Sequence, residues 1–389
     1  MYYPEKDSSP HRGYMFYEQA VQLAKTGWKV GLVFVEQRPT RNFSWKRFSR
    51  ESHFQITTED NGIFTTLRLH AWNPKLSTRT GGKIWSFLTR LAVKKYIRKY
   101  GKPDLIHAHF AVWAGYTADT IRRRHHIPYI ITEHASSITG GNVPLWQRDI
   151  FRSVYNNAGK VICVGTLLKR KLEEYVTDPE KITVVPNFVD TEIFHPSTHH
   201  TEKEKEFVFI SVANLTQRKG IHDLLDAFHN AFRNHPQVKL KIVGEGEEKE
   251  ALEQKVNKLQ LNSRVAFTGR LGREQLAEEL AESDAFVLAS YAETFGIVYI
   301  EAMSTGMPAI GTVCGGPEDI ITSESGFLVK PGDVDELADK MYKLYDSYES
   351  FDKPAISKSI KERYDFKLAG PTLAHIYQSI LDNENSSCR

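Results

Sequence analysis

Two glutamates eight residues apart, Glu293 and Glu301, flank a glycine at a corner where a strand is predicted to end and a helix to begin. Gly296 lets the backbone approach a ligand closely. The amides of Phe295, Gly296 and Ile297 would point at an anion, helped by the helix dipole. The two carboxylates could then address two parts of one ligand. Equally, they could be an exposed loop residue and a solvated helix residue, the usual fate of acidic side chains.

A second corner places two cations, Arg218 and Lys219, directly before a helix predicted to start after Gly220. Cations oppose the positive end of the helix dipole, so this position makes sense if a bound dianion such as a nucleotide diphosphate lies between them. The alternative is a solvated turn with two surface cations. A third corner, residues 243–246, holds Gly244 in a GxG turn, which alone is weak evidence for ligand binding.

Four residues of the first half could line corners of the same kind. Gly13 lies at a turn-to-helix junction and could admit a phosphate, and His134 ends a predicted strand before a polar loop. His107 and His109 alternate on another strand, so their side chains share a face. They could bind a metal, but no third ligand follows at metal-site spacing, so a buried, hydrogen-bonded pair is favoured. Walker, GxGxxG, nucleophile-elbow and zinc signatures are absent from the sequence.

These corners need a scaffold of short buried strands, each followed by a helix. The first half alternates β-branched apolar runs with stretches of helical spacing. Such alternation indicates an α/β fold with a doubly wound parallel sheet, in which ligands bind at the carboxyl ends of the strands. The predicted strands are 28–36, 104–110, 127–133, 160–164 and 181–185, and the predicted helices are 12–25, 82–100, 112–125, 145–157 and 166–176.

The second half repeats the alternation, which predicts a second domain. Residues 187–205 are polar and end in a charge run, so they are interpreted as the linker. The domains are therefore predicted at 1–190 and 191–366, with the C-terminal helix within 367–389 expected to pack back on the first. The predicted strands are 207–214, 239–243, 265–267, 285–289 and 308–312, and the predicted helices are 221–234, 247–259, 273–281, 296–305, 318–323 and 367–382.

The length of 389 residues suits two domains, and the net charge of +3 conceals a cancellation. Up to Asp190 the chain has 29 Lys and Arg against 16 Asp and Glu, and after it 22 against 32. Opposite signs favour two domains with different partners. No apolar run reaches the roughly 20 residues that span a bilayer. No secretory signal is recognisable and the three cysteines form no CxxC pair, so a cytoplasmic protein is expected.

The start of the chain breaks the pattern. A doubly wound domain normally opens with a strand that leads into a glycine-bearing turn and a helix. The turn and the helix are present, but residues 1–9 contain Pro4, Glu5, Lys6 and Asp7, which do not suit a buried strand. The first strand of the N-terminal domain is therefore expected to be missing, and a truncated or misassigned start is the hypothesis.

Together these corners resemble a known family. The chain is similar nearly end to end, and most strongly over 184–331, to the retaining glycosyltransferases of the GT-B architecture, glycosyltransferase family 4 or group 1. The specific signal is Glu-x7-Glu, formed by Glu293 and Glu301 with Phe295 and Gly296 inside it. It is joined by Arg218-Lys219-Gly220, by 315–318, by 326–333, and by 186–190, where Phe188 replaces the usual glycine.

The resemblance implies two Rossmann-like domains facing a cleft, and a role for each corner. Arg218 and Lys219 would hold the donor diphosphate, Glu301 the ribose hydroxyls and Glu293 the donor sugar. With His134 beside the transferred sugar, the implied catalytic set is His134, Glu293, Arg218 and Lys219. The other donor-binding residues are Gly13 and Gly244, Arg270 and Leu271 at the base, and the amides of Phe295, Gly296 and Ile297.

The implied activity is transfer of a hexose or related sugar from a nucleotide-diphosphate sugar to a glycan or lipid-linked acceptor, with retention, in cell-envelope, extracellular or capsular polysaccharide synthesis. Cations and helix N-termini would stabilise the leaving group, and no Asp-x-Asp motif is present, so neither metal nor cofactor is expected. A sugar-nucleotide epimerase of the same architecture and a non-catalytic sugar-nucleotide-binding protein are the alternatives. The set of Glu293, Arg218 and Lys219 argues against the silent binder.

Residues 83–102 bear on the acceptor. They combine Trp85, Phe87, Leu88 and Leu91 with four cations at 94–99. The stretch could be an amphipathic helix that meets anionic lipid or a polyprenyl-diphosphate-linked sugar. An ordinary core-packed helix is the alternative, and it is favoured for the helix alone. The basic first half tilts the interpretation towards peripheral association with the inner face of the cytoplasmic membrane. Nucleic acid is a poor alternative, because no binding motif accompanies the charge.

Overall fold

The computed structural model describes residues 13–39, 54–73, 75, 78–197 and 206–387, which fall into two compact units. The first unit spans Met1–Val164, Lys169–Val185 and Ala369–Arg389, and the second spans Gly165–Leu168 and Pro186–Leu368. The boundary expected after Asp190 lies five residues inside the second unit.

The first unit holds two separate sheets. Its strands are β1 (Gly31–Pro39), β2 (Ile56–Asp60), β3 (Thr65–Asn73), β4 (Ile106–His109), β5 (Tyr129–Glu133), β6 (Lys160–Cys163) and β7 (Ile182–Val184). One sheet has the order β1-β3-β2, with β1 parallel and β2 antiparallel to β3. The other has the order β4-β5-β6-β7 and is all parallel. Within the described ranges, β1 and β4 each have one edge without a neighbouring strand.

Helices cover both sheets. The longer helices in this part of the chain are α1 (Tyr14–Lys25), which precedes β1, and α2 (Arg79–Tyr100), α3 (Tyr116–His125), α4 (Leu145–Asn157) and α5 (Thr166–Leu172). α2 packs on the first sheet, where Leu88 and Ala92 meet Val35 and Leu67. The expectation that Trp85 and Leu88 face a membrane is therefore wrong, because Leu88 belongs to this core and Trp85 packs against it. Phe87 and Leu91 are exposed.

The second unit holds one continuous parallel sheet in the order β10-β9-β8-β11-β12-β13. Its strands are β8 (Phe207–Val212), β9 (Val238–Val243), β10 (Val265–Gly269), β11 (Ala285–Val287), β12 (Ala309–Thr312) and β13 (Gly326–Val329). The longer helices are α6 (Ile221–Ala231), α7 (Lys249–Lys258), α8 (Arg273–Ala281), α9 (Ile297–Ser304), α10 (Val334–Asp346) and α11 (Lys353–Tyr364). The last helix, α12 (Ala369–Ser387), returns to the first unit and packs on α1.

The predicted α/β alternation in two parallel-sheet domains is confirmed, but five of the labelled elements were not predicted. They are β2, β3, β13, α10 and α11. β3 escaped because polar residues occupy its buried positions. Arg68, only 1% exposed, donates to the Glu59 carboxylate at 2.6 Å, and this pairing lets a cation lie inside a strand. The predicted helix 318–323 is a single turn, Pro317–Ile320.

The linker predicted at 187–205 is wrong for its first part. Phe188, Val189 and Phe194 are buried. The Val189 amide donates to the Tyr364 carbonyl at 2.8 Å, and the Phe366 amide donates to the Val189 carbonyl at 2.9 Å. These residues therefore belong to the core of the second unit. Residues 198–205 lie outside the described residues.

Two expectations concern the chain ends and the membrane. Residues 1–9 lie outside the described residues, so the expectation that they form no strand has no counterpart in the structure. Among the helices of the described ranges, none combines the length and the apolar character needed to cross a bilayer.

Candidate functional site

The predicted donor-site corners of the second unit lie in loops at the carboxyl ends of its strands. β8 and β11 are neighbours although β9 and β10 lie between them in the chain, so the strand order reverses direction there. Ligands bind at the carboxyl ends of strands at such a reversal. The loop after β8 carries Arg218 and Lys219, and the loop after β11 carries Glu293. The structure thus brings three of the four predicted catalytic residues to one crevice.

Lys219 and Glu293 form an ion pair across this reversal. Lys219 Nζ lies 2.5 Å from Glu293 Oε1, and the Ser290 hydroxyl donates to the same oxygen at 2.8 Å. Glu293 is 7% exposed, so the alternative of an exposed loop glutamate is wrong. A buried carboxylate has to be paired, and Lys219 and Ser290 supply that pairing. The cation is therefore held in position within the fold itself.

Arg218 is arranged differently from its neighbour. Its carbonyl accepts from the Tyr291 amide at 2.9 Å, which ties the loop after β8 to the loop after β11. Its side chain is exposed and has no hydrogen-bond or ion-pair partner in the part of the chain that the structure describes. All five N–H donors of the guanidinium are thus available to an external anion.

The start of α9 provides the backbone amides that the sequence predicted. Gly296 caps the helix at φ 88°, and a Cβ there would lie 2.7 Å from the Tyr299 ring. Tyr299 is buried and donates to the Leu288 carbonyl at 3.0 Å, so it is held in place. No side chain caps α9, and its first amides remain available to an anion. The Phe295 side chain packs on Tyr364, so a ligand contact of Phe295 would be made by its main chain.

Glu301 lies in the second turn of α9, next to Ile300 of the core. Burial raises the pKa of Glu301 to about 7, and nearby Arg273, at the start of α8, partly opposes that rise. The alternative of a freely solvated helix glutamate is therefore wrong. Arg270 and Leu271 lie in the loop between β10 and α8, shortly before Arg273. The predicted base-contacting stretch therefore leads into the helix whose first residue acts on the predicted ribose-binding carboxyl.

Gly244 has a packing role that the GxG pattern did not reveal. Its φ is 141°, and a Cβ would lie 1.8 Å from the Ala213 carbonyl oxygen. Only glycine therefore allows the loop after β9 to close against the loop after β8. A direct contact between Gly244 and a ligand stays a prediction.

Three histidines stack at the carboxyl ends of β4 and β5 in the first unit. His107 and His109 have ring centroids 4.5 Å apart, and His109 Nδ1 lies 3.3 Å from His134 Nε2. His107 bonds the hydroxyls of Tyr377 and Thr132, both at 2.6 Å, which confirms its hydrogen bonding, and both rings of the pair are half-buried. Burial lowers the pKa of His107 to about 3 and that of His134 to about 4. The described ranges contain no group of three or more His, Cys, Asp or Glu residues suited to a metal ion.

Gly13 and His134 meet at the same end of the first unit. Gly13 begins α1 with φ 84° and no side-chain cap. Phe16, one turn later, places its ring 4.6 Å from the His109 centroid and 5.4 Å from that of His134. The helix that begins at Gly13, the predicted phosphate-binding glycine, therefore contacts His134, the predicted sugar-side histidine, through the Phe16 ring.

Glu133 is the buried residue of this corner that sequence reasoning missed. It is 1% exposed, and burial raises the pKa of its carboxyl. Its oxygens accept from the amides of Ala111, His134 and Ala135, each at 2.9 Å, and from the Tyr155 hydroxyl at 2.7 Å. A glutamate at the end of the apolar run 127–133 was the available signal, since such residues are rarely buried without partners.

Glu133 also fastens an irregular turn. The helix predicted at 112–125 begins only at Tyr116, and residues 111–115 form a wide turn. Phe110 and Trp113 flank and enter this turn with φ of 70° and 66°, a region that such side chains rarely adopt. The Ala111 amide bond to Glu133 anchors the turn, so one carboxylate positions both this segment and the loop of His134.

Two family models match consecutive parts of the chain. Residues 13–193 match Glycosyltransferase Family 4, and residues 196–359 match Glycosyl transferases group 1. The chain belongs to this glycosyltransferase family. Its two parallel-sheet units have the GT-B architecture. The sucrose-phosphate synthase of Thermosynechococcus elongatus is similar in fold, with a TM-score of 0.79 at 22% identity over 96% of this chain and 94% of that one.

Two further proteins are similar to this family member. Anabaena HepE, solved in complex with UDP and glucose, has a TM-score of 0.68 at 20% identity over 90% of this chain and 99% of its own. The N-acetyl-alpha-D-glucosaminyl L-malate synthase of Bacillus anthracis is 30% identical over 251 residues, 62% of this chain. The chain spans 65% of that relative's length, and 55% and 52% of two other curated relatives.

Proposed function

We propose that this protein transfers a sugar from a nucleoside-diphosphate sugar to an acceptor hydroxyl, with retention of anomeric configuration. The observation that carries the proposal is the Lys219–Glu293 ion pair at the strand reversal, beside exposed Arg218. A diphosphate in this crevice would meet two cations and the uncapped start of α9. Family membership and the UDP complex of the similar HepE structure support the choice of ligand.

The proposed reaction breaks the bond between the anomeric carbon and the diphosphate oxygen. The electron pair leaves with the diphosphate, and the acceptor oxygen forms the new bond on the same face. The acceptor proton passes to the departing phosphate oxygen. Charge develops on the diphosphate, where Lys219 and the amides of α9 are already held in position to stabilise it and the exposed Arg218 can join them. On this proposal, neither a metal nor a cofactor takes part.

In this proposal, Glu293 and Glu301 accept hydrogen bonds from different hydroxyl groups of the donor. Glu293 already accepts hydrogen bonds from Lys219 and Ser290 through Oε1, which leaves Oε2 for a sugar hydroxyl. Glu301, with its pKa near 7 and Arg273 close by, would accept from the ribose hydroxyls. These assignments follow the family resemblance and the position of each carboxyl along the crevice.

His134 is assigned to the transferred sugar. Burial lowers the pKa of His134 to about 4, so the imidazole is neutral at pH 7. It can then donate through one ring nitrogen and accept through the other, but it brings no charge. A neutral ring suits hydrogen bonding to a sugar hydroxyl better than it suits stabilisation of the diphosphate. Glu133 positions this histidine through its main-chain amide.

Product analysis with a panel of nucleotide sugars and acceptors tests the proposal. The expected result is a new glycosidic bond whose anomeric configuration, read by NMR coupling constants, matches the donor, with an unchanged rate in EDTA. An isomerised sugar without an acceptor product would indicate the epimerase alternative. Thermal stabilisation by nucleoside diphosphates with no turnover of any donor would indicate a silent binder, and either result contradicts the proposal.

The acceptor is proposed to be anionic and membrane-linked, such as a lipid-diphosphate sugar. Phe87 and Leu91, exposed by 52% and 45%, lie on the outer face of α2. The cations that share its exposed surface are Lys83, Arg90, Lys94, Lys95, Arg98 and Lys99. Exposed apolar side chains among cations match a surface that binds anionic lipid.

Vesicle flotation tests this surface. The wild-type protein should float with vesicles containing anionic lipid at low salt and detach at high salt. Phe87→Ser combined with Leu91→Ser should weaken flotation, whereas Leu145→Ser, which alters another exposed leucine of the first unit, should leave it unchanged. Equal flotation of all three proteins would contradict the assignment of α2.

A further inference from the structure

Three aromatic side chains of the first unit meet where its helices begin. Trp113 lies in the turn 111–115, Tyr116 is the first residue of α3 and Trp146 lies in the first turn of α4. The Trp113 and Trp146 rings stack with their centroids 5.7 Å apart, and the Tyr116 ring meets that of Trp113 edge to face at 5.9 Å. Both tryptophans are half-buried and Tyr116 is exposed. These three residues are called the aromatic platform below.

The fold holds the platform in place through Trp113. A Cβ on Gly82, near the start of α2, would lie 1.8 Å from the Trp113 indole, so this ring packs directly on the main chain of α2. The turn that carries Trp113 is anchored by the bond from the Ala111 amide to Glu133. Because the rings are ordered by the protein itself, a ligand that packs on them would not have to order them.

The platform lies at the end of the sheet where ligands bind. The helices α3 and α4 follow β4 and β5 in the chain, so their first turns are at the carboxyl ends of these parallel strands. Phe110, which precedes the turn, has its ring centroid 5.3 Å from that of His134. The turn therefore runs from His134, the residue assigned to the transferred sugar, to Trp113 of the platform.

A cation lies over the platform. The Arg79 guanidinium is 5.8 Å from the centroid of the Trp146 ring, which is within the range of a cation–π contact. Arg79 is the first residue of α2 and is exposed. Its side chain has no hydrogen-bond or ion-pair partner in the part of the chain that the structure describes. A cation at the positive end of a helix dipole is unfavourable, and a bound anion would offset this.

An aromatic surface beside an available guanidinium matches a charged saccharide. The C–H groups on one side of a pyranose ring form an apolar face, which can pack on an aromatic ring, and small-ligand sites combine such rings with a few polar groups. A guanidinium binds a carboxylate or a phosphate through two parallel N–H donors. The first turns of α2 and α4 contain no acidic residue that would repel such a ligand.

We propose that Trp146, supported by Trp113, and Arg79 form an acceptor subsite that binds a saccharide carrying a phosphate or a carboxylate. The inference rests on the proposed function, since the acceptor has to reach the sugar beside His134. Trp146 provides the surface on which the acceptor ring packs, and Arg79 binds its anionic group. The subsite selects the acceptor and takes no part in binding the donor.

Binding of glucuronate, a glucose phosphate and uncharged glucose tests the subsite without turnover. In saturation-transfer NMR, the ring hydrogens of both charged sugars should receive magnetisation from aromatic protons of the wild type, and Trp146→Leu should abolish this transfer. Arg79→Gln should weaken binding of the charged sugars about tenfold and leave that of glucose unchanged. Arg124→Gln is the matched control, because it removes an exposed arginine from the last turn of α3, and it should bind as the wild type does.

Steady-state kinetics with a charged acceptor separate this role from a structural one. Trp146→Leu should raise the acceptor KM about tenfold, while the donor KM and the rate of donor hydrolysis by water stay unchanged. Trp146→Phe keeps a flat ring and should restore most of the affinity. If leucine serves as well as phenylalanine, the ring acts only in packing and the proposal is overturned.

The two assays distinguish failure of the subsite from failure of the proposed function. A wild type that transfers sugar, with Trp146→Leu and Arg79→Gln unchanged in acceptor KM, overturns the subsite alone. Absence of any binding of the charged sugars to the wild type also overturns it. A wild type that binds the charged sugars through Trp146 and Arg79 but transfers no sugar supports the saccharide site and overturns the proposed function.

Discussion

The crevice of the second unit and the histidine corner of the first unit (His107, His109 and His134) lie at corresponding places in their sheets. They differ in the charge of the side chains that line them. Both lie at the carboxyl ends of parallel strands beside a glycine that begins a helix. In the second unit, Lys219 is paired with a buried carboxylate and Arg218 is exposed. In the first, burial keeps His134 neutral and Glu133 is satisfied by amides and a hydroxyl.

The difference indicates what each corner is built to meet. Fixed cations beside an uncapped helix favour a ligand that carries negative charge. Uncharged rings and a buried carboxylate bonded by four uncharged donors define shape and hydrogen bonding instead. We therefore expect substitutions in the second unit to act mainly on ligand charge, and those in the first to act mainly on geometry and stability.

The largest expected effect is that of Lys219→Ala. Loss of a preorganised cation beside the departing diphosphate should lower the rate of transfer by about 100- to 1000-fold. Lys241→Ala is the matched control, because Lys241 also forms an ion pair, with Glu279 at 2.6 Å, but away from the crevice. A rate near that of the wild type in steady-state assays of Lys219→Ala would contradict the role of Lys219 in stabilising the departing diphosphate.

Glu301 should make the second unit less stable as pH rises. Its folded pKa of about 7 lies above the ordinary glutamate value of 4.5, so the folded state binds more protons between these values. The free energy of unfolding should therefore fall from about pH 4.5 to about pH 7, by up to about 3 kcal/mol. Denaturant unfolding of Glu301→Gln between pH 4.5 and pH 7 should show a smaller fall of the unfolding free energy with pH. The same fall in the wild type and the variant would contradict the attribution to Glu301.

His134 should give the first unit the opposite dependence. Its folded pKa of about 4 lies below the value of 6.5 for a free histidine, so the unfolded state binds more protons between them. Stability is complete above pH 6.5 and falls as the pH approaches 4, by up to about 3 kcal/mol. His134→Asn should flatten this limb, and NMR titration of the ring in the wild type provides an independent check.

Glu133→Gln tests how far the corner of His107, His109 and His134 depends on the Glu133 carboxylate. The amide group of glutamine would face donors where an oxygen accepted before, so at least one buried donor loses its partner. Unfolding free energy should fall by about 2 kcal/mol, with the Tyr155 hydroxyl left less restrained. Glu173→Gln alters an exposed glutamate of the same unit and should change stability little.

The smallest effect is expected for Arg218→Ala. Because this side chain is exposed and unpaired among the described residues, its loss should leave the unfolding free energy unchanged. Affinity for a nucleoside diphosphate, measured by calorimetry, should weaken about tenfold. The loss should be smaller at high salt, because salt screens the attraction between Arg218 and the diphosphate. Destabilisation without a change in affinity would mean that Arg218 belongs to the scaffold.

The sequence predicted the alternation of strands and helices because burial on both faces of a parallel sheet leaves short apolar runs. It also predicted the corners at Gly296 and Arg218, since local backbone geometry and charge are visible in neighbouring residues. It did not predict β3, where Arg68 and His70 interrupt the apolar pattern. Nor did it identify Glu133, whose partners come from three separate segments.

By itself, therefore, the sequence determined which elements form and which residues stand at their ends, because these properties depend on neighbours along the chain. Only the tertiary structure decided that Lys219 pairs with Glu293, 74 residues away. It also decided that three histidines stack and that the edges of β1 and β4 border a cavity. The physical reason is that strand order and burial set these contacts and their pKa values, and both arise only when distant segments pack together.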